Sequence, residues 1–442
     1  MTWTLAGGHN EAMPDATWTN WAREQRCAPA AREAPRDEGE VGAALARAAE
    51  KGQTVRVAGA GHSFSDLVCT DGRLLTLEHM DRLLDVDRDG ARVRVQAGIG
   101  LEALGHELAR HGLAMENLGD IDAQSLAGAL ATGTHGTGAR FANLSAQVVG
   151  MRLVTATGEA IEIDGGEDLR AARIALGALG VVTELTLRCL PLFTLHRIDE
   201  PRPLDEVLES LDALVAGHDH FEFFAFPYSG RALVRRTQRT DAEPVRADPR
   251  RVWIKEELFE NGAIAAAGAI GRRLPRAIPA ISRTITRLAG REERTELSYR
   301  LYASRRAVRF TEMENAIPRE HARAAVEAVL GVVQRRRLPI GFPIEVRFVA
   351  GDDAMLSPAH ARDSCYIAVH QFRGQEYETY FRAVEEVLEP YGPRPHWGKR
   401  HYQSAATLAP RYPQWDAFQA VRARLDPERR FTNPSLRRLL GD

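Results

Sequence analysis

From Glu38 to about Leu190 the apolar positions switch repeatedly between the helical period and the strand period. Val41 to Lys51 has helical spacing. Thr54-Val-Arg-Val then reads as a short strand running into Ala58-Gly-Ala-Gly-His-Ser-Phe64, and Leu74-Leu-Thr-Leu as another. Leu84 to Gln96 predicts a hairpin, because Asp89-Gly90 supplies the residues a tight reversal needs. Leu101 to His111 is amphipathic, with Leu101, Leu104 and Leu108 on one face and Gly112 as its stop. A second hairpin is expected over Val148–Ile163 around Thr157-Gly158, then a helix over Leu169–Leu176 and a strand from Val181 to Leu187.

Near Pro191 the texture changes. Longer helical patterns at Leu204–Val215 and His321–Arg336 stand among strands such as Phe221–Pro227 and Pro343–Phe348, which predicts a second α+β domain reaching about Gly392. Arginines 272, 273, 276, 283, 287 and 291 crowd a stretch mixed with Leu and Ile. The tail from Arg394 is again distinctive. The resulting division is a polar, Gly-rich leader over 1–17, expected to be disordered, then units 18–190, 191–392 and 393–442.

Composition narrows the function. The 442 residues are 44% hydrophobic, enough for a large core in two or three domains. With 58 basic and 60 acidic side chains the formal net charge is −2, so no overall field holds a nucleic acid. Cys27, Cys69, Cys189 and Cys365 are scattered without CxxC or Cys/His metal spacing, which argues against a disulfide framework or a metal site and fits a reducing cytoplasm. No signal peptide is readable. The longest apolar run, Ala263–Ile270, is far short of the ~20 residues needed to span a bilayer.

Two glycine clusters carry the first chemical hint: Gly59-Ala-Gly61-His62-Ser63, and Gly128 to Gly138, which contains Thr132-Gly133-Thr134-His135 and follows Ser125. Glycines admit a ligand close to the backbone and turn N–H groups toward a pyrophosphate, while Ser125, Thr132 and Thr134 offer hydroxyls. Neither cluster matches GxGxxG or a P-loop. Either alone reads equally well as a tight turn. Two in one α/β half, each with a histidine, favour a nucleotide with a long phosphate bridge, such as FAD.

The motifs Arg56-Val-Ala-Gly-Ala-Gly-His-Ser-Phe-Ser, Asn117-Leu-Gly-Asp, Ala131-Thr-Gly-Thr-His-Gly-Thr-Gly and Leu176-Gly-Ala-Leu-Gly-Val-Val resemble the FAD domain of the vanillyl-alcohol-oxidase family. The nearest branch is that of the sugar-1,4-lactone oxidases and dehydrogenases. Glu345-Val-Arg347, Asp363-Ser-Cys-Tyr, Arg394-Pro-His-Trp-Gly-Lys399 and Leu425-Asp-Pro with Phe431-Thr-Asn433 extend the likeness over nearly the whole chain. The resemblance implies an α+β fold: a two-subdomain FAD-binding domain of the PCMH type and an α+β substrate (cap) domain, with the C-terminal segment returning to the flavin site.

What the likeness implies for single residues goes beyond their patterning. His62 corresponds to the histidine that bonds covalently to the flavin's 8α-methyl carbon; on pattern alone it is a loop histidine satisfied by backbone. Ala58, Gly59, Ala60, Gly61, Ser63, Phe64, Gly119, Ser125, Gly128, Thr132, Gly133, Thr134, His135, Val182 and His396 are the other cofactor-binding candidates, with His135 in the pyrophosphate loop. Glu345 and Arg347 alternate with apolar residues and share one face of a strand, which by itself is better read as a solvated ion pair. By resemblance Arg347 stabilises negative charge on the reduced flavin, Glu345 orients the substrate hydroxyl, and Lys399 supplies a cation near the flavin. His370 and Asp120 join them with less defined roles. Phe372 stands where alditol oxidase has a threonine, which favours a lactone over a polyol. Gly119 leaves room beside the flavin for oxygen, which leans toward an oxidase.

The implied reaction is hydride transfer from C2 of a gulono-, galactono- or arabinono-1,4-lactone to flavin N5. Electrons would pass to O2 or to a cytochrome or quinone. With gulono- or galactonolactone the product would enolise to ascorbate. The rivals are oxidation of an alditol or other carbohydrate at the same site, and a non-catalytic flavin-binding protein, which would have no reason to bring Glu345, Arg347 and Lys399 together. The Arg-rich stretch 272–306 reads most simply as a solvated surface. Its basic amphipathic character also suits peripheral contact with an anionic membrane.

Overall fold

The computed structural model describes residues 17–245, 270–271, 273–303 and 308–442. Apart from Thr17, the leader lies outside the described residues, as do Arg272, Arg306 and all of the Ala263–Ile270 run except Ile270. Among the described residues no helix is long and apolar enough to cross a membrane.

The first helix, Glu38–Glu50, starts where the Asp37 side chain accepts the Glu40 N–H at 2.8 Å, and it buries Val41, Ala44, Leu45 and Ala48. Beside it lies a three-stranded parallel sheet, with Arg73–Thr76 between Ala31–Glu33 and Val55–Ala58. A five-stranded antiparallel sheet follows. Its order is Ala160–Ile163, Val148–Val154, Val181–Arg188, Arg92–Gln96, Leu83–Asp87, so both expected hairpins form. In the first hairpin Gly90 N–H donates to Asp87 Oδ1 at 2.8 Å.

Two expected helices are cut short. The helix near Leu169 spans Gly166–Ala172, and Leu176 takes a left-handed φ of 56°, which no helix accommodates. The pattern over Leu204–Val215 forms two helices, Leu204–Glu209 and Leu211–Gly217. Ser210 at the junction leaves helical geometry (φ −99°, ψ 14°), and its hydroxyl donates back to Glu206 C=O at 2.6 Å.

The second half is built on an eight-stranded antiparallel sheet. Its order is Glu292–Leu297, Thr194–Pro203, Arg231–Thr240, His220–Ala225, Ile344–Val349, Ser364–Phe372, Phe310–Pro318, Arg394–Pro395. The two-residue alternation sends Phe221, Phe223, Met313, Val346, Phe348, Ile367 and Val369 to one core, where helices Ala322–Arg335 and Glu378–Leu388 cover them. Glu222, Glu312, Glu314, Glu345, Arg347 and His370 fall on the opposite face, which turns toward the N-terminal half.

The chain's end ties the halves together. After the edge strand Arg394–Pro395 it crosses back, and helices Trp415–Leu425 and Pro434–Leu440 pack on the N-terminal core. Gly398 C=O accepts the Phe64 N–H at 2.7 Å, and Asn433 Nδ2 reaches the carbonyls of Asp66, Leu67 and Cys69 at 2.8–3.2 Å. Arg56, buried, donates to Leu67, Gly177 and Phe431 carbonyls at 2.9–3.2 Å. The loop after Val55–Ala58 is thereby fixed from three directions.

Candidate active site

That loop forms one wall of a cavity of about 380 Å³ in the N-terminal half. Ala58, Gly59, Ala60, Gly61, His62, Ser63, Ser125, Gly128, Thr132 and Val182 line it, together with Arg56, Gln124, Leu176, Gly177 and Gly180. A Cβ on Gly59 would come within 2.3 Å of Ser125 Oγ, and one on Gly128 within 2.9 Å of the same atom, so both glycines permit the two loops to close on each other. The backbone N–H groups of residues 59–63 donate to no acceptor among the described residues. Unpaired donors beside a long cavity are what a pyrophosphate requires. The residues present therefore fit FAD.

His62 stands at one end of this cavity. Trp21 stacks on it with ring centroids 5.4 Å apart, and Trp21 N–H donates to Gly61 C=O at 2.8 Å. Burial, reinforced by the charge of Lys399, pushes the imidazole down to about 4, so it is neutral at ordinary pH.

Six expected cofactor contacts lie outside the cavity lining. Phe64 packs with Trp21 and Phe310, under the Lys399 ammonium 5.2 Å from its ring. His135, expected in the pyrophosphate loop, turns to the sheet: Nδ1 pairs with Gly136 C=O at 2.8 Å and Nε2 lies 3.2 Å from Glu314. His396 accepts the Gly398 N–H on Nδ1 at 3.0 Å. Thr134 is buried and Gly133 follows the helix end. Gly119 borders a different, smaller cavity of about 40 Å³. A methyl on Gly119 would meet His135 C=O and Thr134 Cγ2 at 3.3 Å, so on that side the glycine relieves crowding within the protein and leaves no open room.

The charged face of the sheet gathers all five expected catalytic residues. Cross-strand pairing places Glu222 opposite Arg347, and Glu312 opposite His370. Arg347 Nη2 touches Glu345 and lies 3.2 Å from Asp120, while its Nε donates to Glu222 at 2.8 Å. The far oxygen of Glu345 is 3.8 Å from His370 Nε2, which is 3.6 Å from Glu312, which in turn accepts from Lys399 Nζ at 2.5 Å. Glu345, Arg347 and Lys399 thus belong to one continuous set of charges.

Burial, with the charges of Asp120 and Glu222, pushes Glu345 up to about 7 against the pull of Arg347. Glu312 is buried too, yet Lys399 and His370 hold it down at about 2. Two neighbouring carboxyls are set far apart, the arrangement that separates a proton-accepting group from a permanent anion. His370 Nδ1 is buried without a hydrogen-bond partner among the described residues, which typically costs ~1–3 kcal/mol. Phe310 and Phe342 flank His370, and Phe372 packs on Phe342 at 4.2 Å.

Glu222, Glu312 and Glu314 were not singled out from sequence. Phe310-Thr-Glu-Met-Glu-Asn-Ala-Ile carries the same alternation as Ile344-Glu-Val-Arg-Phe and is the signal that marks two of them. Ligand atoms of His135, Glu314 and His396 lie within 4.8 Å of one another and could hold a small cation. The His135–Glu314 pairing accounts for the cluster without one.

The chain is similar to several known proteins. The family model described as D-arabinono-1,4-lactone oxidase matches residues 185–439, and that of an FAD binding domain matches residues 29–164. L-gulono-1,4-lactone dehydrogenase of Mycobacterium tuberculosis is 52% identical over 96% of this chain and 99% of its own length. L-gulonolactone oxidase of Mus musculus is 33% identical over 95% and 97%, and alditol oxidase of a Streptomyces species 34% over 86% and 89%. Cholesterol oxidase from Brevibacterium sterolicum shares the fold, with a TM-score of 0.81, 18% identity and 96% of each chain covered.

The cradle makes a direct prediction. Gly59→Val fills the space against Ser125, so the purified variant should come out colourless. Its circular dichroism should match that of the His62→Ala protein stripped of cofactor. A yellow variant with wild-type FAD content would separate this cavity from the cofactor.

Proposed function

We propose that this chain, which belongs to the D-arabinono-1,4-lactone oxidase family and is an FAD-dependent oxidoreductase, oxidises the C2 hydroxyl of an aldono-1,4-lactone such as the gulono-, galactono- or arabinono-lactone. FAD, when bound, supplies the hydride acceptor. The observation that carries the assignment is the single charged set joining Glu345, Arg347, His370, Glu312 and Lys399 on the sheet face turned to the FAD-binding half.

In this reading His370 and Glu345 hold the substrate hydroxyl, and Glu345 takes its proton as the hydride leaves C2. A carboxyl poised near 7 suits that task. Arg347 and Lys399 are cations fixed in place before the reaction. They favour the state in which negative charge has built up over the state before it has. Phe310, Phe342 and Phe372 pack together beside His370 and make its surroundings apolar. Electrons then pass to O2 or to a cytochrome or quinone, and gulono- or galactonolactone would yield a product that enolises to ascorbate. A neutral, stacked His62 keeps a lone pair for a covalent bond to the flavin methyl carbon.

We also assign the protein to the cytoplasm, with peripheral attachment to an anionic membrane. Helix Ile278–Leu288 buries Ile278, Ser282 and Thr286 while Ile285 and Leu288 face outward, and Ile270 and Leu274 are exposed nearby. Arg273, Arg276, Arg283, Arg287 and Arg291 surround them. Apolar residues set among cations suit a surface of anionic lipid.

Four measurements test these readings. Anaerobic mixing with lactones and polyols should bleach the flavin fastest with a 1,4-lactone, and reoxidation by O2 against cytochrome c identifies the acceptor. Lys399→Met should lower the limiting bleaching rate by roughly a hundred- to a thousand-fold, the scale of losing one preorganised donor, with little change in substrate affinity. A wild-type limiting rate in that variant would return Lys399 to a structural role. Acid-precipitated wild type should stay yellow and His62→Ala should release its FAD; a colourless wild-type precipitate removes the covalent bond from the scheme. Vesicles containing phosphatidylserine should float the protein at low salt and lose it at high salt, and absence of flotation at low salt rejects membrane contact.

A further inference from the structure

The line of charges does not end at Arg347. Glu222 uses both carboxylate oxygens on guanidinium groups: Oε2 on Arg347 Nε and Oε1 on Arg235 Nη1, each at 2.8 Å. Arg235 is in turn held by Asp199 at 3.0 and 3.3 Å, and Asp199 lies 3.4 Å from Arg197 Nε. We propose that Glu222 is a positioning residue of the reaction, one that fixes the direction of the Arg347 guanidinium and, through its own charge, governs proton loss from Glu345. This rests on the reading of the sheet face as the site of lactone oxidation.

Two observations carry it. First, Arg347 sits in the middle of a strand and needs an acceptor on its Nε edge to hold its Nη2 edge against Glu345 and Asp120. The sheet register places Glu222 directly across from it. A neutral amide would serve that purpose with less desolvation cost than a buried carboxylate. Second, the charge of Glu222 has a consequence that an amide would not. Asp120, Glu222 and Glu345 all contact the one Arg347, and the Arg235 countercharge is divided between Glu222 and Asp199. Of the three carboxylates that share Arg347, Glu345 is the one that burial and its like-charged neighbours push toward the protonated form. Glu222, bonded to two guanidinium groups, is held below the usual carboxylate range despite its burial. Glu345 has only Arg347 beside its Oε1, which finds no aligned hydrogen bond. The proton therefore settles on Glu345, the group that faces His370.

Among the described residues, other titratable neighbours face this set from both sides. His220, on the same strand as Glu222, is neutral: burial pushes it down to about 4, and it bonds Thr137 C=O and the Tyr302 hydroxyl. On the far side of Glu345 stand His370, Glu312, Glu314 and Lys399, in the ion pairs described above. Asp120, Glu222, Arg235 and Arg347 also border the 40 Å³ cavity, which has room for a few waters.

Glu222→Gln keeps the shape and an acceptor for Arg347 while removing the charge. Two quantities are followed against pH: the limiting rate of anaerobic flavin bleaching by lactone, and the midpoint potential of the bound FAD under chemical reduction. With the like charge gone, Glu345 loses its proton more readily. The acid limb of the rate profile and the corresponding break in the potential plot should both move down by about one pH unit, and the potential should rise. Glu222→Asp restores the charge and should return both toward wild type. Arg235→Gln strips Glu222 of its countercharge and should move the break the other way, which keeps the test open if Glu222→Gln fails to fold. Fully FAD-loaded variants with wild-type limb and break would overturn the proposal and leave Glu222 a packing residue. If no lactone bleaches the wild-type flavin, the functional reading fails by itself, and the potential plot still decides the role of Glu222.

Discussion

One buried guanidinium organises the centre of this molecule. Arg347 is held by Asp120 from a loop of the N-terminal half, by Glu222 from the neighbouring strand and by Glu345 two residues earlier on its own strand. Taking such a charge out of water costs several kcal/mol, and the cost is offset only while all its partners stay in place. The contact with Asp120 therefore constrains how the two halves meet, and the contact with Glu222 constrains the register of the sheet. From Arg197 through Asp199, Arg235, Glu222, Arg347 and Glu345 to His370, Glu312 and Lys399, basic and acidic side chains alternate along one sheet face.

The cofactor side obeys a different constraint. There the demand is for backbone brought close to a ligand, so the wall consists of glycine, alanine and small hydroxyl residues rather than ion pairs. Position is supplied from behind the wall by Arg56, which holds carbonyls of three separate segments, and by the returning C-terminal chain, which bonds Phe64 through Gly398. Gly398 and Lys399 are neighbours in sequence. The segment that fixes the His62 loop thus also delivers the ammonium to Glu312. Cofactor loop and charged face are aligned by one short stretch of chain.

This division explains what could be read from the sequence. Elements whose burial follows their own periodicity, such as the helix over Glu38–Glu50 and the hairpin over Leu83–Gln96, are visible in the order of residues alone. Glu345 and Arg347 stand out because both lie on one strand. Glu222 and Arg235 do not, because their value depends on a strand order that carries the chain from Thr194–Pro203 past Arg231–Thr240 to His220–Ala225 and only then to Ile344–Val349. His135 was misplaced for a related reason. Its loop faces the cofactor half in sequence, but Glu314 on the sheet pulls its ring the other way. The break at Ser210 reflects local competition by a hydroxyl for a helical carbonyl, which apolar spacing does not register.

The histidines complete the electrostatic argument. Burial holds His62 at about 4, His220 at about 4 and His396 at about 3, so at neutral pH none of the three carries charge. Arg347 and Lys399, both pushed up by the carboxylates around them, are fixed cations there, and His135 and His370 lie beside carboxylates. A cation that cannot lose its proton, and an ammonium whose proton is secured by Glu312, keep the same charge across the pH range in which Glu345 titrates. Fixed cations on either side of one titrating carboxyl are what an oxidation needs when it must remove a proton and stabilise the electrons left behind. The neutral imidazole of His62 in the cofactor cavity fits the same division, since it adds no charge there.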